Sequence, residues 1–136
     1  MFKKLFNKNK KENNNELATN EAKVNWQPLT DVKQLAEINL ASKNEVVAIF
    51  KHSTRCIVSS TVIKNFEKLL GNNVIDNTIY YLDLLSYREV SNAIEAQYQV
   101  MHQSPQLLLI KNGSVIFHTS HYDILEVDVN KFGKEM

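Results

Sequence analysis

Val46-Val47-Ala48-Ile49-Phe50-Lys51-His52-Ser53-Thr54-Arg55-Cys56-Ile57-Val58-Ser59 decides the fold. Val46 to Phe50 is a short, continuous, β-branched-rich apolar run, the composition of a strand covered on both faces. A polar loop follows. Beyond it Val58, Val62, Ile63, Phe66, Leu69 and Leu70 recur at helical spacing, with Gly71 and Asn72 as the stop. Cys56 therefore falls in the first turn of a helix that leaves a buried strand. There, free backbone N–H groups and the positive end of the macrodipole favour a thiolate, and Arg55 adds a cation beside it.

Upstream, Thr30 or Asp31 can cap a helix running toward Ser42, with Val32, Leu35, Ile38 and Leu40 as its apolar positions. Downstream, Thr78 to Leu84 has the pattern of a second buried strand, and Arg88 to Gln99 that of a helix with Val90, Ala93, Ile94 and Tyr98 inward. Leu107–Ile110 and Val115–Phe117 flank Lys111-Asn112-Gly113-Ser114, and Asn-Gly between apolar runs predicts an antiparallel hairpin. Tyr122 to Phe132 is expected to form a short closing helix. Two helical crossovers followed by a hairpin define an α/β domain with a mixed sheet covered by helices.

A length of 136 residues with ordinary apolar and charged fractions suits one globular domain. One cysteine forbids an internal disulfide and a cage of several thiolates, so any disulfide must join the chain to another molecule. Lys3, Lys4, Lys8, Lys10 and Lys11 crowd the start, and the mildly acidic remainder argues against nucleic-acid binding. Residues 1–24, with Asn13-Asn14-Asn15 and few large apolar side chains, are expected to form a disordered basic leader, and residues 25–136 the folded domain. The leader lacks the apolar stretch of a secretory signal, and no run is long enough to span a bilayer. A monomer in the reducing cytoplasm is the expectation.

Ser53, Thr54 and Arg55 surround Cys56 with polar groups, which favours a reactive thiol over a buried, inert one. Ser59, three residues on, lies near the thiol on a helix and completes Cys-x-x-Ser. A serine there can hydrogen-bond a thiolate but cannot resolve a mixed disulfide. His52 ends the strand, where its protonated form would support the thiolate, although a solvated or hydrogen-bonded histidine is the commoner case. His102, His118 and His121 offer neither metal-ligand spacing nor a nucleophile–base signature.

Phe50-Lys51-His52-Ser53-Thr54-Arg55-Cys56 with Val58 and Ser59, then Ser104-Pro105-Gln106 and Ile110-Lys111-Asn112-Gly113, resembles the YtxJ-type monothiol bacilliredoxins of the thioredoxin-like superfamily. The likeness runs from Trp26 onward. It implies a thioredoxin-like three-layer α/β/α sandwich on a mixed four-stranded central sheet and a nucleophile at Cys56. It also implies a cis-proline at Pro105 across a substrate groove, with the backbone beside Ser104 pairing to a bound partner. Ser120-His121-Tyr122 is similar to the family's Ser-His-aromatic segment near that groove. Ile57 stands where the family often has proline or a small residue, which bears on first-turn packing and on substrate preference.

What the resemblance implies is removal of bacillithiol, acting as co-substrate, from S-bacillithiolated client proteins, with no bound cofactor or metal. Thr54 and Ser59 would orient the thiolate, and Arg55 and His52 would favour it. Two other functions stay open. One is a glutathione-dependent monothiol glutaredoxin-like protein or iron–sulfur carrier, whose usual Cys-Gly-Phe-Ser is not Cys56-Ile57-Val58-Ser59. The other is a thioredoxin-fold binding module in which Cys56 is only structural.

Overall fold

A computed structural model describes residues 24–71 and 78–129. Five strands form one sheet: β1 (Trp26–Pro28), β2 (Val47–His52), β3 (Ile79–Asp83), β4 (Gln106–Lys111) and β5 (Ser114–Ser120). Their spatial order is β1-β3-β2-β4-β5. β3 pairs in parallel with β1 and β2, and β2–β4 and β4–β5 are antiparallel. Helices α1 (Gln34–Ala41) and α3 (Arg88–Tyr98) cover one face, and α2 (Ile57–Gly71) covers the other with a 3₁₀ turn, His121–Glu126. This is the expected three-layer sandwich, with one strand more than the four anticipated.

The additional strand is β1, at the sheet edge. Trp26-Gln27-Pro28 carries no apolar alternation, and proline is tolerated only where its missing N–H is not needed, as on an edge. Tertiary contact makes it a strand. Trp26 packs edge-on to Phe50 and Tyr81, at ring separations of 5.7 and 5.6 Å, and its indole N–H donates to Glu67 Oε2 at 2.8 Å.

Alternation along β2 divides two cores. Val47 and Ile49 face Leu35, Ile38, Val90, Ile94 and Tyr98, whereas Ala48 and Phe50 face Val62, Phe66 and Leu70. β2 also runs two residues beyond the expected Phe50. Lys51 pairs with Leu82 and Gln106, and His52 with Asp83, so the sheet draws both polar residues inside.

The residue flanking α1 is Lys33, which makes no side-chain cap bond, so of the caps expected at Thr30 or Asp31 neither sits at the helix end, and the bonding falls in the preceding turn, on Asp31. Its Oδ1 accepts the Lys33 N–H at 2.8 Å, while Gln34 Oε1 reaches back to the N–H groups of Thr30 and Asp31. A tight turn of i→i−3 bonds then delays the helix to Gln34. Leu35 and Ile38 are buried, but Leu40 is 64 % exposed and Val32 lies at the surface. The Asn112-Gly113 turn has φ of 52° and 76°, the left-handed pair a two-residue hairpin requires. Of the closing helix expected over Tyr122–Phe132, the described residues show a 3₁₀ turn to Glu126, after which Val127 is extended, as its β-branch favours. Residues 1–23, Asn72 and residues 130–132, on which the leader, the helix stop and the end of that closing helix were placed, lie outside the described residues.

Candidate active site

Cys56 sits immediately before α2, where its carbonyl accepts the Ser60 N–H at 3.0 Å, the first bond of the helix. Its own N–H donates to Ser53 O at 3.3 Å, closing a tight turn over Thr54 and Arg55, both exposed. The thiol is partly exposed. It lines a shallow depression of about 180 Å³ with Thr54, Arg55, Ile57, Ser60, Thr61 and Lys64. Two basic side chains and three hydroxyls border this hollow, and no carboxylate does. Ile57, 82 % exposed, adds its side chain to the rim rather than to the packing of the first turn.

Ser59 lies differently from the expected thiolate partner. It is fully buried, its Oγ accepts the Ser53 N–H at 3.1 Å, and it stands 2.8 Å from His52 Nδ1. With the amide donating to it, the hydroxyl keeps both a proton to give and a second lone pair, and the imidazole tautomer sets which of them meets Nδ1. Among the described residues no hydrogen bond reaches the Cys56 sulfur. Cys-x-x-Ser spacing therefore braces the loop: Ser59 ties the helix to the residue where β2 ends.

His52 corrects a second expectation. It is 7 % exposed, with its ring 5.7 Å from that of Tyr81. Burial lowers its pKa below the ordinary histidine value, outweighing the opposite pull of Asp83 and Glu67. A neutral imidazole at neutral pH does not supply the positive charge envisaged for it. Of the neighbouring charges, Arg55 and Lys64 line the same hollow as the thiol.

The Ser104–Pro105 bond is cis. Lys51 pairs with Gln106, so His52 and Pro105, one step further along the antiparallel ladder, stand at the same end of the sheet as the Cys56 loop. Pro105 O accepts the His121 N–H at 3.0 Å, which brings Ser120-His121-Tyr122 to that end as well. Ser104 Oγ is buried without a hydrogen-bond partner. No cluster of three or more histidine, cysteine, aspartate or glutamate residues among those described is arranged to hold a metal, and no described helix is long and apolar enough to cross a membrane.

Sequence reasoning passed over a second polar group, on the opposite face of the sheet. Lys51 is fully buried, with Nζ 3.1 Å from His102 Nδ1, and Gln106 lies buried beside it on the paired strand. The available signal was Lys51 itself, a charge directly continuing an apolar strand.

A strand, a Cys-initiated helix and a cis-proline at one end of a mixed sheet define a thioredoxin-like oxidoreductase. The fold is similar to that of a candidate oxidoreductase with a thioredoxin fold, at 28 % identity and TM-score 0.65, over 75 % of this chain and 88 % of that one. Thioredoxins of Schistosoma mansoni (21 %, TM-score 0.60, covering 79 % and 97 %) and Malassezia sympodialis (18 %, TM-score 0.61, covering 77 % and 86 %) share the fold. Residues 27–129 match the model of the monothiol bacilliredoxin BrxC family, and the chain belongs to that family.

Proposed function

We propose that this protein is a monothiol thiol–disulfide oxidoreductase that reduces mixed disulfides between bacillithiol and client proteins. The observation that carries this reading is the placement of Cys56, a solitary, partly exposed thiol at the start of α2 inside a hollow bordered by Arg55 and Lys64.

In the first step the Cys56 thiolate attacks the bacillithiol sulfur of the mixed disulfide. A new Cys56–bacillithiol disulfide forms, the old bond breaks, and the client leaves as a thiolate that takes a proton from solvent. No second cysteine is present to displace the adduct. An external low-molecular-weight thiolate must attack it, leaving as a disulfide with bacillithiol and restoring Cys56. Arg55 and Lys64 would attract the carboxylates such thiols carry, and Thr54 would orient the ligand. Ser59 and His52 would act indirectly, by holding the Ser53–Cys56 loop. The edge beside Ser104 and Pro105 would receive the extended client segment. A monomer working in the reducing cytoplasm suits a cycle that depends on a pool of free thiol.

Incubation of the reduced protein with bacillithiol disulfide or glutathione disulfide, followed by intact-mass measurement, tests the proposal. The expected product is one adduct at Cys56 that persists until a free thiol is added. Absence of any adduct near neutral pH would exclude exchange chemistry, and faster capture of glutathione would exclude the preference for bacillithiol.

A further inference from the structure

Lys51 and His102 take no part in the exchange chemistry above, yet they join the middle of the sheet to the segment that leads into Pro105. Lys51 is 0 % exposed and is locked in β2 between Leu82 of β3 and Gln106 of β4. His102 lies in the stretch between α3 and β4. Its Nδ1 is 3.1 Å from Lys51 Nζ and 3.4 Å from Ser91 Oγ.

An ammonium can only donate, so Nδ1 accepts and the imidazole proton sits on Nε2. The residues on either side of His102 are held as well. Gln106 Nε2 donates to Met101 O at 3.0 Å, and Gln106 Oε1 accepts the Gln103 N–H at 3.4 Å. Three consecutive residues before Ser104 thus hang from two side chains of the sheet. β2 is paired on both sides and cannot yield, so loss of the Lys51 bond falls on the segment.

We propose that Lys51 is a positioning residue, whose bond to His102 holds the Met101–Ser104 segment in the shape that admits a protein disulfide, and that protonation of His102 releases that segment. The inference rests on the exchange reading of Cys56. The charges around His102 are Lys51 from β2, and Glu95 and Arg88 from α3. Burial, Lys51 and Arg88 all disfavour a charged imidazole, against the pull of Glu95, so the bond is intact at neutral pH. In acid, a proton on Nδ1 would place two positive donors 3.1 Å apart. The attraction would become a repulsion.

The test compares exchange with a single-cysteine protein carrying bacillithiol in mixed disulfide against exchange with neutral 2-hydroxyethyl disulfide, from about pH 8 to about pH 4.5, a range that spans histidine titration. Taking the ratio of the two rates cancels the thiolate fraction of Cys56. We expect this ratio to be level near neutrality and to fall about tenfold in acid, the worth of one charge-assisted hydrogen bond. His102→Gln should flatten the profile, because its amide oxygen still accepts from Lys51 but does not titrate; Lys51→Met should lower the ratio at every pH. Failure of Cys56 to react with either disulfide would defeat the exchange reading itself. Reaction with both, at a ratio that slopes equally in wild type and His102→Gln, would overturn the inference.

Discussion

Ser59 Oγ and His52 Nδ1 lie 2.8 Å apart, a buried bond that joins the first turn of the Cys56 helix to the end of the strand before it. The same oxygen accepts the Ser53 N–H, so one hydroxyl fixes both ends of the loop that presents the thiol. Its burial sets it apart from Thr54 and Arg55, which face solvent.

Ser59→Ala is therefore expected to act on stability. It leaves a buried amide and a buried imidazole nitrogen without their partner, a loss of about 1–3 kcal/mol. Urea unfolding followed by the fluorescence of Trp26, the only tryptophan, measures it. Alkylation of Cys56 by a neutral reagent should change much less. A stable Ser59→Ala protein with sharply slower alkylation would show instead that the hydroxyl serves the sulfur.

Lys64, about two helical turns along α2 from Cys56, lines the hollow together with Arg55. Reversing its charge should slow capture of anionic glutathione disulfide relative to neutral 2-hydroxyethyl disulfide. Two charge units at this range, screened by water, correspond to about fivefold at low ionic strength, vanishing near 1 M salt. Stopped-flow or timed-quench rates on Lys64→Glu provide the measurement. Equal slowing of both disulfides would point to an effect on the thiolate and away from ligand charge.

The layers were legible because their signals are local. Val46–Phe50 and Leu107–Ile110 are apolar without interruption, Asn112-Gly113 specifies its own turn, and the stripe from Val58 to Leu70 needs no partner to be recognised. What escaped depends on contacts between distant segments. Trp26-Gln27-Pro28 becomes a strand only through its pairing with β3. Lys51 becomes an interior residue only because Leu82 and Gln106 flank it. Helical spacing placed Ser59 near Cys56, but the direction of its hydroxyl is settled by His52 and Ser53, which arrive from the strand and the loop.

The unforeseen strand carries its own prediction. Trp26 holds β1 through edge contacts with Phe50 and Tyr81 and through its bond to Glu67. Trp26→Ala should cost about 3 kcal/mol, near the lower end for removal of a large aromatic because the side chain is only partly buried. Circular dichroism during urea titration reads the change, since the variant lacks the fluorophore. A loss below about 1 kcal/mol would mean that the edge strand adds little to the fold.

Lys51 supplies the sharpest test of burial. Desolvation pushes its pKa down from 10.5 to about 8, with Glu95 opposing the shift. The folded state therefore gives up this proton more readily than the unfolded chain does. Below pH 8 both states hold it and the folded state bears the full cost of a buried charge; above 10.5 both are neutral and that cost is gone. Stability contributed by this group accordingly rises with pH across the interval, by about 3 kcal/mol in total. Tyr80, Tyr81 and Tyr98 have raised pKa values, chiefly through burial, and act in the opposite sense once the unfolded chain's phenols ionise. The clean window is therefore about pH 7.5 to 9.5, below the ordinary tyrosine range. In that window Lys51→Met should abolish the rise seen in the wild type and should match or exceed its stability at pH 7.5, since an apolar side chain replaces a buried charge. Urea midpoints for both proteins at several pH values decide the matter. Parallel slopes would show that the lysine reaches water, and would remove the basis for treating its bond to His102 as a buried tether.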